Sequence, residues 1–250
     1  MKGIAFELKG DFAFFKKPDV NQENYFTYSH IHKVALTGIL GAIIGLDGYS
    51  QAKRNNSGEE RIFPEFYQKL KDLRISIVPH GDRGYFSRKI QTFTNTTGFA
   101  NKGSNLIVKE QWLENPHWTI YLLPSDEMEE GLFDRLSDYL INKKAEFIPY
   151  LGKNEHYASI SNPRWVNLSV VEETSYIQSL FPLTEKIEFD SEEDTLDEDD
   201  DFFFRENMPT SLQEQTILYN LEPLVYTNMY MENIEFEHMY ETEDKVIVFI

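Results

Sequence analysis

Apolar and polar residues alternate at the start of the chain. Every second residue of the segment 3–9 is large and apolar: Ile4, Phe6 and Leu8. The residues between them are Ala5, Glu7 and Lys9. A period of two residues is typical of a strand with one buried face. The pattern therefore predicts a half-buried strand that ends at Gly10 and Asp11.

The segment 25–46, YFTYSHIHKVALTGILGAIIGL, divides into a polar aromatic part and an apolar part. In the apolar part, Gly38, Gly41, Ala42 and Gly45 recur at a spacing of three or four residues and so share one helical face. Glycine costs about 1 kcal/mol in a helix interior. This pattern predicts a helix that is buried nearly all round, with another element packed closely against the small residues. The preceding aromatic cluster is predicted to begin a surface.

The later segments alternate between helical and strand periods. Helices are predicted at 63–73 and 125–142, the second capped by Ser125 or Asp126, and strands at 74–79, 106–109, 118–123, 165–171 and 245–250. The resulting order, β-α-β followed by β-α-β, is that of ferredoxin-like folds and of the RNA-recognition motif. We therefore predict the α+β class, with a ferredoxin-like, RRM-like core over residues 1–175.

The segment 81–105 interrupts this order and is basic. It contains Arg83, Arg88, Lys89 and Lys102, and no acidic residue lies between Asp82 and Glu110. The composition fits a basic hairpin or arm inserted in the core, and it fits a mobile surface loop equally well.

Charge is distributed unevenly along the chain. Residues 1–124 have 16 Lys and Arg against 12 Asp and Glu, whereas residues 125–250 have 8 against 30. The block 188–201 alone has ten acids in fourteen residues, which predicts a disordered loop. Its spacing does not match a calcium-binding loop. We therefore predict an acidic extension over residues 176–250 that contains this loop and the closing strand 245–250.

Familiar catalytic and cofactor motifs are absent. There is no cysteine, and the motifs of phosphate loops, serine hydrolases and zinc proteases are missing. His30 and His32 would share a strand face, but no third ligand follows at a useful spacing. The other histidines, His80, His117, His156 and His238, are interpreted as structural or surface residues. We expect neither a metal nor a cofactor.

The segment that precedes the apolar helix offers an enzymatic alternative. Tyr25, Tyr28, His30, His32 and Lys33 are residue types that can cleave RNA without metal by general acid–base catalysis. The sequence does not show that they converge. The N-terminus lacks the apolar region of a signal peptide, and the longest apolar run is too short to span a bilayer. We therefore expect a cytoplasmic protein without a membrane partner.

Three motifs together resemble one CRISPR-associated family. They are GIAFELKGDFAFFKKPD (3–19), YFTYSHIHKVALTGILGAIIGL (25–46) and PYLGKNEHYASI (149–160), and NLIVKEQWLENPHWTIYLLP (105–124) adds to the match. The family is the RAMP-superfamily subunit that the Cas nomenclature numbers five, in a form similar to type I-B systems. The order of these motifs along residues 1–170 is more specific to the family than any one motif alone.

The resemblance implies a non-catalytic role in assembly. Members of this family bind the 5′ handle of the guide RNA (crRNA) at one end of the Cascade surveillance complex. They contact its large subunit and its backbone subunits, and reach target DNA through the assembled complex. In one subtype members process precursor crRNA themselves, but this chain resembles a subtype with a separate endonuclease. An RNA-binding module outside CRISPR is the third alternative.

The resemblance also implies a protruding thumb and a glycine loop, for which 81–105 and 149–152 are the candidates. RNA-binding residues are expected among aromatic and imidazole rings that stack on bases, among cations that meet phosphates, and in the glycine loop. The rings are Phe14, Tyr25, Tyr28, His30 and His32. The cations are Lys16, Lys17, Lys33, Arg88, Lys89 and Lys102, and the loop residues are Gly152 and Lys153. For the aromatic and lysine residues of 12–18, a strand end with core Phe and solvated Lys is the simpler alternative.

Overall fold

The structure is a computed structural model, and it describes residues 1–19, 24–55, 62–95, 106–190 and 200–250. It is a mixed α/β structure in which strands predominate over a few helices. The helices are α1 (Lys33–Ile43), α2 (Tyr49–Asn55), α3 (Glu65–Leu70) and α4 (Leu132–Ile141). No helix within these ranges is long and apolar enough to cross a membrane.

The strands are numbered in chain order. The first eight are β1 (Lys2–Lys9), β2 (Phe12–Ala13), β3 (Asn24–Tyr25), β4 (Arg74–Pro79), β5 (Arg88–Asn95), β6 (Leu106–Glu114), β7 (His117–Leu123) and β8 (Ser159–Asn167). The remainder are β9 (Ser169–Val170), β10 (Phe181–Pro182), β11 (Glu188–Asp190), β12 (Phe203–Leu212), β13 (Tyr219–Thr227), β14 (Tyr230–Glu232), β15 (Met239–Thr242) and β16 (Lys245–Val248).

A four-stranded antiparallel sheet in the order β4-β7-β1-β8 forms the centre of the molecule. Helices α1, α2 and α3 lie between β1 and β4 in the chain, and α4 lies between β7 and β8. The predicted strand at 3–9 is confirmed as β1. Its apolar residues Ile4, Phe6 and Leu8 lie in the main hydrophobic core.

The other face of this sheet is also covered. Ala5 of β1, expected on an open face, is buried in a second cluster with Tyr240, Ile247 and Phe249. The prediction of a half-buried strand was therefore wrong for its first half. The residues that cover this face come from the C-terminal end of the chain, more than 230 residues from Ala5, and a local pattern does not reveal such a contact.

Helix α1 begins where His32 caps it, because His32 Nδ1 accepts a hydrogen bond from the Ala35 amide at 3.2 Å. Its apolar residues are buried, and α3 packs against it so closely that a Cβ on Gly41 would overlap Cβ of Phe66. The helix ends at Ile43, and Gly45 beyond it has a φ of +74°.

The other helix bounds differ from the predictions. The helix predicted at 63–73 is confined to α3, and α2 lies in a segment for which no helix was predicted. Helix α4 begins at Leu132 rather than near Ser125, because residues 125–131 form turns and Gly131 is the N-cap. The prediction that Ser125 or Asp126 caps this helix was therefore wrong.

Strands β5 and β6 form an antiparallel hairpin in the basic segment, with pairs from Arg88–Leu113 to Asn95–Leu106. Residues 96–105, which include Lys102, lie outside the described residues. The base of the hairpin is held in a larger sheet, because β6 also pairs with β2 and with β3.

The C-terminal strands share the main core with the first half of the chain. Phe204, Met208 and Leu224 belong to the same hydrophobic cluster as the apolar residues of α1. The Tyr67 hydroxyl accepts a hydrogen bond of 2.7 Å from the Leu212 amide. The predicted division near residue 175 therefore does not separate two hydrophobic cores.

Part of the acidic block is ordered. Glu188–Asp190, predicted as the start of a disordered loop, is strand β11, and it pairs with Tyr230–Glu232. Residues 191–199 lie outside the described residues, and Asp200 forms an ion pair of 3.1 Å with Arg83. The closing strand predicted at 245–250 is β16, which ends at Val248 and pairs with β15.

Candidate functional site

A groove of about 800 Å³ opens beside the N-terminal half of α1. Several segments that are distant in sequence form it: residues 14–16 after β2, helices α1 and α2, Phe66 of α3, the loop 147–153 and Tyr219 of β13. The groove therefore exists only in the folded chain.

Small residues of α1 form the floor of this groove. Ala35, Gly38 and Ala42 line it, and a Cβ added at Gly38 would lie 3.7 Å from the Phe66 ring, an ordinary contact. Packing too close for a side chain is thus found at Gly41, whereas at Gly38 a Cβ would fit in ordinary contact with the same Phe66.

Exposed aromatic residues surround the groove. Tyr49 of α2 is 49% exposed, and Phe147 and Tyr150 are 59% and 43% exposed. The sequence analysis missed these three residues as site residues. The aromatic residues beside the PYLG turn could have indicated Phe147 and Tyr150, because exposed aromatic residues in a loop are a common sign of binding.

Two lysines supply positive charge to the groove, and no carboxylate is among its lining residues in the described parts of the chain. Lys16 Nζ lies 3.8 Å from the centre of the Tyr25 ring, a cation–π arrangement. Lys153 also lines the groove, with its Nζ 5.9 Å from the centre of the Phe14 ring. The net charge of the protein is −18, so a groove lining without acidic residues differs from the acidic character of the chain as a whole.

The loop 149–153 is held in a fixed shape by main-chain hydrogen bonds. The Leu151 amide donates to the His156 carbonyl at 2.7 Å, and the Phe14 amide donates to the Leu151 carbonyl at 3.0 Å. Gly152 has a φ of +86° and lies so close to Phe14 that a side chain does not fit. The predicted glycine loop therefore forms one wall of the groove together with the segment that contains Phe14.

Lys153 is positioned by two carboxylates behind the groove. Its Nζ lies 2.8 Å from Glu110 and 3.1 Å from Glu155, and 5.3 Å from the Trp112 ring centre. Burial alone would lower the pKa of Lys153, but the hydrogen bonds to the two carboxylates outweigh it and raise that pKa. Lys153 therefore stays protonated, although the two carboxylates beside it together carry more charge than it does.

The two histidines of the predicted site lie in the core. His30 is fully buried and accepts a hydrogen bond of 3.2 Å from the Trp118 indole, and His32 is the α1 cap with 3% exposure. Burial lowers the pKa of each to about 3, so both are neutral at physiological pH. His32 reaches the groove only as part of its lining, and His30 does not reach it.

Three further predicted residues are engaged in the interior. Tyr28 is 1% exposed, so no face of its ring is free for a base. Lys17 forms an ion pair of 2.5 Å with Glu206, and Lys33 donates to the Ile250 carbonyl at 3.0 Å. For Phe14–Lys17 the simpler alternative of core aromatics holds for Phe14 and Phe15, while Lys16 is exposed on the groove.

The remaining candidates are on or near the hairpin. Arg88 and Lys89 are exposed at the start of β5; Arg88 donates to the Ser29 hydroxyl at 2.5 Å, and Lys89 lies 4.0 Å from Glu114. Of the predicted residues that the structure describes, the groove brings together five: Phe14, Lys16, His32, Gly152 and Lys153.

Comparison with known proteins identifies the family. The model of a family described as CRISPR-associated protein (Cas_Cas5) matches residues 3–219. The chain belongs to the Cas5 family. This confirms the resemblance that the three sequence motifs indicated. No curated protein matches the chain in sequence.

Solved structures with a similar overall arrangement are distant in sequence. One described as a CRISPR RNA-guided surveillance complex has a TM-score of 0.48 at 14% identity, over 92% of this chain and 91% of that chain. A CRISPR protein from Archaeoglobus fulgidus has a TM-score of 0.46 at 12% identity, over 99% and 98%. A chain of the type III-B Cmr-beta complex bound to cognate target RNA and AMPPnP has 0.40 at 10% identity, over 92% and 86%.

The Cas5 match includes the whole groove. All residues that line it lie between Phe14 and Tyr219, inside the matched range 3–219. The hairpin β5–β6 is also inside that range. Strands β15 and β16 follow it, and the cover that Tyr240 and Ile247 give to the central sheet therefore lies outside the Cas5 match.

Proposed function

We propose that this Cas5 chain is a non-catalytic subunit of a type I CRISPR surveillance complex and binds the 5′ handle of crRNA in the groove beside α1. The observation that carries the proposal is the composition of that groove. Aromatic rings, a floor of small residues and two lysines come together in a lining without a carboxylate, on a chain that is acidic overall.

This composition suits single-stranded RNA. Proteins recognise single strands by stacking unpaired bases on aromatic side chains and by placing cations near the phosphates. Tyr150 and Phe147 are exposed aromatic residues of the groove, and Lys16 and Lys153 line the same groove. A volume of about 800 Å³ is that of a small-molecule pocket. The groove accordingly takes a few splayed nucleotides, and the rest of the handle continues outside it.

The hairpin is the proposed thumb of a ferredoxin-like core. The chain order β1, α1, β4, β7, α4, β8 and the antiparallel arrangement of those strands support this assignment. Arg88 and Lys89 at the base of the hairpin are the proposed phosphate contacts beyond the groove. Ile90, Phe93 and Ile107 are exposed on the hairpin and suit a contact with a neighbouring protein subunit.

The proposed partners are the large subunit and the backbone subunits of the complex, with target DNA reached through the assembly in the cytoplasm. The acidic C-terminal half of the chain, residues 125–250, supports the proposed position of the RNA in the groove. Its 30 acidic residues against 8 basic ones disfavour nucleic acid on those parts of residues 125–250 that lie away from the groove. RNA is thereby favoured on the side of the groove.

The absence of catalysis is part of the proposal. A nuclease that acts by acid–base chemistry needs a group that titrates near neutral pH and reaches the RNA. His30 and His32 are buried with pKa values near 3, and the pKa of the buried Tyr28 hydroxyl is raised far above its ordinary value. These positions suit packing better than proton transfer to RNA.

The test uses the full-length chain with labelled crRNA that carries the 5′ handle, over a series of salt concentrations. Tyr150→Ala removes an exposed ring from the groove, and loss of stacking on one base is expected to weaken binding by about 1–3 kcal/mol. Gly38→Leu fills the floor and is expected to weaken binding without unfolding the chain. Tyr157→Ala is the matched control, because Tyr157 is 67% exposed and is not among the groove-lining residues.

Two readouts separate the alternatives. Guide-loaded complex assembled with the partner subunits should be reduced by Tyr150→Ala and unchanged by Tyr157→Ala. Equal assembly in both variants and the parent would show that the groove is not the RNA site. Metal-free cleavage of repeat RNA by the purified chain, abolished in His32→Asn, would replace the proposal with an endoribonuclease function.

A further inference from the structure

Three potential metal ligands meet on the side of the central sheet opposite α1. They are Glu7 of β1, His80 directly after β4 and His117 at the start of β7. One nitrogen or oxygen of each lies within 4.8 Å of the others. The cluster is separate from the groove, because Ile4, Phe6 and Leu8 of the same strand face the main core and alternate with Glu7.

The side chains of the cluster are close together. The His80 and His117 rings stack with their centres 4.2 Å apart and their planes 25° apart. His117 Nε2 is in hydrogen-bond contact with Glu7 Oε2. His80 Nε2 lies 2.7 Å from the Thr119 hydroxyl, which orients the ring. Each of the three side chains thus has a defined direction.

The backbone holds these positions at adjacent points of three paired strands. The His80 amide donates to the His117 carbonyl at 3.0 Å, so the two histidines extend the ladder between β4 and β7. On the other side of β7, Glu7 pairs with Thr119, two residues from His117. A sheet is a rigid frame for a metal site, since ligand positions are fixed by strand register.

We propose that Glu7, His80 and His117 bind one zinc-class divalent cation, with a further coordination position open to water or to an external ligand. Two imidazoles and a carboxylate are the ligand types of zinc sites with an open position. With bonds of about 2.0–2.2 Å, ligand atoms around zinc lie roughly 3.3 Å apart. Small side-chain rotations within the present 4.8 Å therefore suffice.

Lys9 competes with the cation for the Glu7 carboxylate. Its Nζ lies 3.3 Å from Glu7 Oε2, and its side chain is 46% exposed. An exposed lysine swings into water at little cost, so the metal displaces it. Removing this positive charge should strengthen binding of the cation. Lys9→Gln is therefore expected to raise the affinity for Zn²⁺, whereas substitution of a ligand should lower it.

The experiment titrates Zn²⁺ into the full-length chain after removal of any histidine tag, by calorimetry. Titration with Co²⁺ adds the visible absorption of a four-coordinate site. One equivalent is expected to bind with high affinity. Loss of an outer residue that orients a ligand costs roughly 10–100-fold in affinity. Thr119→Val should fall in that range, and Glu7→Gln, His80→Gln and His117→Gln should lose at least as much.

His238→Gln is the matched control, because His238 lies next to a carboxylate at 3.9 Å but outside the cluster. It should bind Zn²⁺ like the parent, and Lys9→Gln more tightly. Zn²⁺ should raise the melting temperature of the parent and not that of His80→Gln with His117→Gln.

The outcome that overturns the site is a Zn²⁺ isotherm for His80→Gln with His117→Gln that equals the parental one. An absent high-affinity isotherm in the parent overturns it as well. Circular dichroism identifies any variant that fails to fold. His80→Gln alone keeps the test valid in that case, because the His80 side chain is exposed and its loss leaves the core unchanged.

Discussion

Gly152 lies against the main chain of Phe14, and neither residue can move without the other. Gly152 has a φ of +86°, and a Cβ at this position would overlap the Phe14 carbonyl oxygen. The Phe14 amide also donates a hydrogen bond to the carbonyl of Leu151, the residue before Gly152, and this bond holds the two segments together. This contact holds the loop 149–153 and the segment before Lys16 together as one wall of the groove.

Gly152→Ala is therefore expected to destabilise the chain and to weaken RNA binding. A left-handed backbone costs a residue with a side chain roughly 1–2 kcal/mol, and the overlap with Phe14 adds to this cost. Gly131→Ala is the control, because Gly131 has a φ of +76° and nothing within 4 Å of an added Cβ. Thermal unfolding should show a larger loss for Gly152→Ala. Equal losses would mean that the loop moves freely away from Phe14.

The two glycines of α1 should respond to alanine in opposite directions. At Gly41 a Cβ meets Phe66 of α3, and we expect Gly41→Ala to destabilise the chain by about 1–3 kcal/mol because of overpacking. At Gly38 the same Cβ is in ordinary contact, and Gly38→Ala should stabilise the helix by up to about 1 kcal/mol. Denaturant unfolding of both variants measures the difference. A loss at Gly38 similar to that at Gly41 would contradict the open floor.

Lys16 and Lys17 are adjacent in sequence but should have different functions. Lys16→Ala is expected to lower the slope of log affinity for RNA against log salt concentration by about 0.7, the value for one phosphate contact on a single strand. Lys17→Ala should leave that slope nearly unchanged and lower stability, because it breaks the partly buried pair with Glu206. Binding at several salt concentrations, together with thermal unfolding, separates the two effects. The reverse result would exchange their assignments.

Because buried histidines are neutral in the folded chain, the free energy of unfolding depends on pH. Burial lowers the pKa of His32 from 6.5 to about 3 in the folded chain. Between these values the unfolded chain binds a proton that the folded chain does not. Stability is therefore full above pH 6.5 and falls as pH decreases toward 3, by up to about 1.4 kcal/mol per pH unit for each such histidine.

His32→Asn keeps an acceptor for the α1 cap and removes the titration. Denaturant unfolding between pH 7 and pH 4 should therefore show a shallower decline for this variant than for the parent. His238→Asn, at a partly exposed site, should decline like the parent. Parallel curves for His32→Asn and the parent would mean that His32 is not held neutral.

The sequence was most informative where a feature depends on neighbouring residues. The alternation around Phe6 predicts β1, and the αL turn at Gly152 lies in a motif that indicated the glycine loop. The burial of His30 depends instead on Phe86 and Phe204, which are distant along the chain. The pattern of polar aromatic residues before α1 therefore does not predict which of their side chains face the groove and which are buried in the core.

The cluster of Glu7, His80 and His117 shows the same limit. The three residues are 73 and 37 positions apart, and no spacing rule connects them. Only the strand order β4-β7-β1 makes them neighbours. Two histidines two positions apart, His30 and His32, were the more visible candidates, and they lie in the core.

The position of β1 has a consequence for biosynthesis. It leaves the ribosome before β7 and β8, but it is an inner strand that pairs with both of them, and β8 ends only at Asn167. At roughly 5–20 residues per second, the second of these partners is complete only about 10–30 seconds later. During that time Ile4, Phe6 and Leu8 remain exposed on the nascent chain. Recombinant yield should therefore depend strongly on chaperone capacity and improve when translation is slowed by cooling.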